Sequence, residues 1–141
     1  MVEVKVHLTS LQSDGENRMT VKVEADGRMW EQDGILFLAY VSKSDKPEER
    51  LRQKIELWPG RTIVKTMGEQ ESRMTFRMGE RLQADYRTPH GDIPIETLTR
   101  KHWVKKGAEL GDLELMLDYT LYLMGSYLAD YQMKIVVEKV K

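Results

Sequence analysis

Alternation of apolar and polar residues along almost the whole chain is the feature that most limits its fold. Successive side chains of a β-strand point to opposite faces, so a half-buried strand alternates with a period of two residues. The pattern opens the chain in residues 2–8 and is longest in residues 113–123, where every second residue is leucine or tyrosine. No segment shows a sustained apolar stripe with the 3.6-residue period of a helix. The sequence therefore predicts an all-β fold.

Clusters of turn-forming residues divide this pattern into about nine or ten strands. Residues 13–17 separate the first two alternating segments, and Gly125-Ser126 separates the last two. Asp26-Gly27 follows the second segment and is a pair suited to positive φ, so we expect the second strand to end there. Most connections are short and contain glycine, which is typical of consecutive hairpins.

Two segments depart from simple alternation. Residues 35–41 are apolar on both faces, which predicts that something covers their outer side, with Trp30 as a contributor. In the segment after Ile93, Trp103 and Val104 do not fit the register set by the earlier residues, so we expect a β-bulge near Leu98.

Consecutive hairpins without helical crossovers favour an antiparallel up-and-down β-barrel of about eight to ten strands. Closure removes the exposed edges that a flat sheet of this size would present. A two-sheet sandwich is the alternative, but Greek-key sandwiches need longer crossing connections than this chain offers.

Composition limits the classes of partner. Residues 1–141 have the size of a single domain. Twenty-two Lys and Arg face 23 Asp and Glu, for a net charge of −1, so we expect neither a nucleic acid nor an anionic membrane as partner. The chain has no cysteine, which excludes disulfides and thiolate metal sites and suits a cytoplasmic location. No apolar run approaches membrane-spanning length.

The middle of the chain carries a recognisable set of residues. A glycine follows a β-branched strand, a Met-x-Phe strand and a second glycine come next, and a Tyr-x-Thr-x-x-Gly turn ends the set: Gly68, Met74, Phe76, Gly79, Tyr86, Thr88 and Gly91. Together with the later Leu117-Asp118-Tyr119 strand, the chain resembles the uncharacterised bacterial YwiB-like family. That resemblance implies a single calycin-like, lipocalin-type β-barrel over residues 1–141. It implies no established activity, and suggests a ligand-binding barrel by analogy alone.

Methionine and aromatic residues mark the candidate ligand site. Met74 and Met78 flank Phe76 on the inferred inner face, and methionine adapts its shape to varied apolar ligands. The same residues suit a filled core equally well. We expect a small apolar or amphipathic ligand and no cofactor, with a lining formed by Met74, Phe76, Met78, Tyr86, Leu117 and Tyr119.

The alternative of an enzymatic function depends on a single set of three residues. Asp85, Tyr86 and His90 could meet near the barrel rim as acid and base, but Asp85 and Tyr86 point to opposite faces of a regular strand. We therefore assign no catalytic residue. His7 and His102 are not spaced as a metal-ligand pair, and we expect no metal site.

Charged and apolar stripes on the outer faces give two further expectations. Arg50, Arg52 and Lys54 share one face, as do Arg73 and Arg77, and we expect acidic residues on neighbouring strands to pair with them. Met116, Tyr122 and Val136 lie opposite the leucines of the long C-terminal hairpin, which predicts an apolar outer patch. Burial of that patch in a homodimer is the alternative to ligand binding.

Overall fold

A computed structural model of the chain describes residues 1–42, 51–68 and 70–140. These residues form β-strands and turns and contain no helix. The strands are β1 (Val2–Ser13), β2 (Arg18–Gln32), β3 (Ile35–Ser42), β4 (Leu51–Trp58), β5 (Arg61–Met67), β6 (Glu71–Phe76), β7 (Arg81–Thr88), β8 (Gly91–Asp92), β9 (Ile95–Lys106), β10 (Leu113–Leu123) and β11 (Ser126–Lys139).

The strands form a closed antiparallel barrel of ten strands, with the short β8 paired only to the end of β7. Each strand pairs with its neighbours in the chain, β9 following β7 around the barrel, and β1 pairs with β11. The β6–β7 pairing completes the circle. The prediction of an all-β, up-and-down barrel is therefore confirmed.

The inner face of one half of the barrel is a packed aliphatic core. Along β1, β3, β4, β10 and β11, every second side chain points inward, and these inward positions are the apolar ones of the sequence pattern. The most deeply buried of these side chains include Val4, Val6, Leu38, Ile55, Leu115, Leu117 and Ile135.

An outer layer covers β3, as its two apolar faces predict. Trp30 stacks on Phe37 with ring centroids 5.4 Å apart. The carboxylate of Glu56 is buried beside them, where Lys65 Nζ lies 2.6 Å from Oε2 and the Trp58 indole donates a hydrogen bond of 3.1 Å to Oε1. Burial alone would raise the pKa of Glu56, but these two donors and the Lys65 charge outweigh it and hold the pKa below its usual range.

Strand β9 contains the predicted bulge, two residues later than expected. Thr99 pairs with Tyr119 while Lys101 pairs with Asp118, so Arg100 is the additional residue. The additional residue shifts the register with β10, so that alternate side chains of β9 face inward both before and after the bulge. Thr99 before it and His102 after it both lie at inward positions.

The expected turn at Asp26-Gly27 is wrong. Strand β2 continues through both residues, and the turn lies at Asp33-Gly34, where φ is 55° and 80°. Gly27 serves close packing instead: a Cβ atom there would lie 2.7 Å from the carbonyl oxygen of Ala39 and 3.2 Å from Cβ of Tyr40. The missing side chain lets β2 and β3 approach where their pairing begins.

Substitution Gly27→Ala should destabilise the barrel. An alanine usually stabilises an extended segment by limiting the unfolded chain, but here the added methyl group must displace backbone of β3. We expect a net loss of about 1–3 kcal/mol in the free energy of unfolding, measured by urea denaturation. Lys22→Ala, at an exposed position of the same strand, should change it by less than about 0.5 kcal/mol. Equal stability of the two variants would contradict the close-packing role.

Candidate functional site

The other half of the interior carries polar and aromatic side chains. Across β3 to β7 the register aligns five inward residues, one from each strand: Tyr40, Gln53, Thr66, Ser72 and Tyr86. On the facing wall, the register aligns Gln12, Tyr131 and Tyr119 across β1, β11 and β10. We call these eight residues the polar end of the interior. None of them carries a charge at neutral pH.

Two hydrogen bonds organise one wall of the polar end. Thr66 Oγ1 donates to Gln53 Oε1 at 2.8 Å, linking adjacent strands. The Tyr86 hydroxyl donates to Gln70 Oε1 at 3.1 Å, at the rim beyond β5. These bonds fix the side chains of Gln53 and Tyr86 on the inner surface.

An aromatic stack forms the opposite wall. The Phe76 ring lies 4.7 Å from that of Tyr119 in a tilted arrangement, and Tyr119 stacks on Tyr131 at 5.0 Å with an interplanar angle of 7°. Phe76 belongs to the packed core, so the stack leads from the core to the polar end. Such pairs prefer these offset geometries because of the ring quadrupole.

Three hydroxyl groups at the polar end have no partner among the described residues: those of Tyr40, Tyr119 and Tyr131. Burial raises the pKa of Tyr40 to about 12 and also raises the pKa of Tyr119 and of Tyr131. In the described residues, Thr99 Oγ1 is the one fully enclosed side-chain polar atom without a partner, so these three hydroxyls keep contact with solvent. Tyr119 and Tyr131 face inward and keep some accessible surface, whereas the neighbouring Leu117 keeps none. Tyr131 and Tyr86 also pack against a small buried cluster of Ala84, Ile95 and Leu121, so the polar end is partly packed and partly accessible.

The predicted ligand-site residues divide between three places. Phe76 and Leu117 lie in the packed core. Tyr86 and Tyr119 lie at the polar end, and Met74 packs between the two. Met78 is a correction: β6 ends at Phe76, and Met78 lies in the following turn with 64% of its surface exposed.

Sequence reasoning missed Tyr40, Gln53, Thr66 and Tyr131. The only sequence signal for Gln53 and Thr66 is a polar residue at an inward position of an alternating strand. Tyr131 was detectable, since it stands two residues before Met133 in the inward series of β11.

The residues of the enzymatic alternative do not meet on one face. Asp85 lies opposite Arg73 on the outer face, while Tyr86 points inward. His90 is exposed in the turn after β7, where its backbone N–H donates to Thr88 Oγ1 at 3.1 Å. Nowhere in the described residues do three or more acidic or histidine side chains gather closely enough to hold a metal ion.

The other two histidines have separate surroundings. His7 lies on the outer face, 3.3 Å from a Glu24 oxygen and 3.5 Å from a Glu138 oxygen. His102 points inward at the packed half, with Nε2 2.7 Å from Thr62 Oγ1, and burial lowers the pKa of its ring.

The outer residues proposed for a homodimer are separated from one another. Met116 is 42% exposed beside Trp103, but the Arg81 guanidinium covers the ring of Tyr122 at 3.8 Å. Val136 stands in register between His7 and Glu114. The three do not form a continuous apolar patch, and the homodimer stays a prediction.

Comparisons with known proteins place the chain among uncharacterised barrels. A family model described as "Domain of unknown function (DUF1934)" matches residues 6–135. The crystal structure of the ywiB protein from Bacillus subtilis superposes with a TM-score of 0.87 at 17% sequence identity, covering 99% of this chain and 93% of that chain. This confirms the resemblance stated from the sequence, and the structural likeness shows a shared fold. No curated protein matches the chain. In the parts of the chain that the structure describes, no helix has the length and apolar character needed to cross a membrane.

Alkaline titration should detect the buried hydroxyl of Tyr40. A tyrosine in an unfolded chain ionises near pH 10, so a raised pKa in the folded state stabilises the fold fully below about pH 10. That contribution is lost as the pH rises through the raised values. We expect near-ultraviolet absorbance to show a component near pH 12 that Tyr40→Phe removes. Ionisation of all six tyrosines together near pH 10 would contradict the buried polar end.

Proposed function

The chain belongs to the family described as Domain of unknown function (DUF1934), and we propose that it is a binding protein holding one small amphipathic molecule at the polar end of its interior. The observation that carries the proposal is the Phe76–Tyr119–Tyr131 aromatic stack on the inner face, beside tyrosine hydroxyls that have no hydrogen-bond partner among the described residues. A bound molecule with hydrogen-bond acceptors would satisfy them.

The chemistry of the lining selects the class of molecule. The Tyr119–Tyr131 stack offers an aromatic face to a flat apolar group. Hydroxyl and amide groups on the facing wall suit carbonyl, ether or hydroxyl oxygens. The eight residues of the polar end carry no charge, and an unpaired charge is costly to bury. The favoured ligand is therefore a neutral molecule with an aromatic or flat apolar body and one or two acceptor oxygens.

Binding without catalysis is the form of function that this lining supports. Asp85 and Tyr86, the acid and phenol of the enzymatic alternative, lie on opposite faces of β7. The inward polar residues of β4 to β6 are Gln53, Thr66 and Ser72, which do not exchange protons near neutral pH. A cytoplasmic location remains part of this proposal, on the lack of cysteine alone.

Fluorescence of N-phenylnaphthylamine, a neutral amphipathic probe, tests the site. The probe should brighten on entering the barrel, and Ser72→Phe should weaken its binding about tenfold or more by filling the polar end. Arg73→Phe is the matched control, since it adds the same ring to the outer face of the same strand and should leave binding unchanged. As a folding control, the melting temperature of each variant should show that the barrel is still folded.

A screen of neutral aromatic compounds gives a second readout. A true ligand raises the melting temperature by mass action. Tyr119→Phe should weaken its binding about twofold to tenfold, as expected for one lost hydrogen bond. If no compound raises the melting temperature, and Ser72→Phe and Arg73→Phe bind the probe alike, the proposed site is wrong.

A further inference from the structure

The outer face of the barrel carries a row of like charges on adjacent strands. The register places Lys54 of β4 opposite Lys65 of β5, and Lys65 opposite Arg73 of β6. Adjacent strands lie about 4.8 Å apart, and like charges directly opposite each other destabilise a sheet. The expected cross-strand pairing with acidic residues is therefore wrong for Lys54. Arg50 lies outside the described residues.

Only part of this row has a structural role. Lys65 neutralises the buried Glu56 carboxylate at 2.6 Å, and Lys54 lies over the Phe37 ring, 5.2 Å from its centroid. Among the described residues, neither Arg52 nor Arg73 forms an ion pair with a carboxylate. By contrast, Arg77 and Arg81 each have an acidic partner, Glu80 and Glu96.

A cleft of about 630 Å³ opens beside the row. The register places Arg28, Ala39 and Lys54 side by side on the outer face of β2, β3 and β4, so that a small residue separates two cations. Arg52, two residues before Lys54, faces the same cleft. The short Ala39 side chain leaves a depression lined by three cationic side chains, with the acidic residues Glu3 and Asp26 at its β1 and β2 side.

We propose that this cleft binds a compact multivalent anion, of the phosphate class, through Arg28, Arg52 and Lys54. Two planar guanidinium groups suit the oxygen atoms of phosphate, and a lysine adds a point charge. Lys65 and Arg73 extend the positive field along the sheet. The ligand differs in charge from the one proposed for the interior. The three cations lie on the outer face of the sheet, although Tyr40 and Gln53 of the polar end also line the cleft.

Acidic residues set the size of the ligand. Glu3 and Asp26 line the cleft at its β1 and β2 side, and Asp85 ends the cation row at β7. The positive surface therefore extends over a few strands, which fits a diphosphate group and is too short for a nucleic acid backbone. The phosphate can be free or carried on a small molecule.

Isothermal titration with inorganic pyrophosphate tests the site directly. We expect a Kd of about 1 mM or tighter. Arg52→Gln and Lys54→Gln should each weaken binding about tenfold, as expected for loss of one charged hydrogen bond. Arg77→Gln is the matched control, because it removes a cation that is already paired, and it should leave binding within about twofold.

Stability separates a binding role from a structural one. Arg52→Gln removes a cation that has no ion pair among the described residues, so its melting temperature should stay close to that of the unmodified protein. A large fall in melting temperature with pyrophosphate binding unchanged would overturn the proposal. Binding that Arg77→Gln weakens as much as Arg52→Gln would also overturn it, since it would show only general attraction to cations.

Two further probes distinguish the source of the phosphate. ADP that binds at least as tightly as pyrophosphate supports a small molecule that carries the phosphate. A single-stranded oligonucleotide that binds while pyrophosphate does not would overturn the proposal in favour of a polyanion surface. Ser72→Phe should not affect pyrophosphate binding, so failure of the interior site and failure of this site are separate results.

Discussion

Closure of the sheet is the constraint on which the rest of this structure depends. Every strand of the barrel needs a partner on each side, because unpaired backbone N–H and C=O groups form an exposed edge. The circle is completed at β6 and β7 by only three register pairs: Glu71↔Arg87, Ser72↔Tyr86 and Arg73↔Asp85. The inner member of that short pairing, Ser72↔Tyr86, belongs to the polar end, while the outer pair Arg73↔Asp85 ends the cation row. The closure thus positions part of the interior site and sets the end of the cation row.

The two halves of the interior differ in what they contribute. Aliphatic side chains fill one half and provide the apolar burial that stabilises the barrel. The other half carries inward tyrosine, hydroxyl and amide groups, of which Tyr119 and Tyr131 keep some accessible surface. Phe76 and Tyr119 connect the halves through their ring contact, so the rigid core holds one wall of the polar end in place. A binding site supported in this way needs little rearrangement to accept a ligand.

Much of the fold follows from the sequence because alternation is a local property of each strand. The barrel class, the covered outer side of β3 and the β9 bulge could all be predicted from apolar positions. The polar end could not, because the alignment of Gln53, Thr66, Ser72 and Tyr86 depends on the relative register of four strands. The Lys54–Lys65–Arg73 row has the same origin. Met78 and Gly27 show two further limits: alternation does not reveal where a strand stops, and a glycine in a turn-like pair can instead serve close packing.

The β1–β11 pairing also determines how the molecule reaches this structure. It joins Val6 to Val137, residues from the two ends of the sequence, across the full set of intervening hairpins. Hairpins between chain neighbours form quickly, whereas a contact of such long range must overcome a large loop-closure entropy. Until β11 meets β1, both strands present open edges and an uncovered apolar face. A form of the barrel in which β1 and β11 have not yet paired is therefore prone to aggregation.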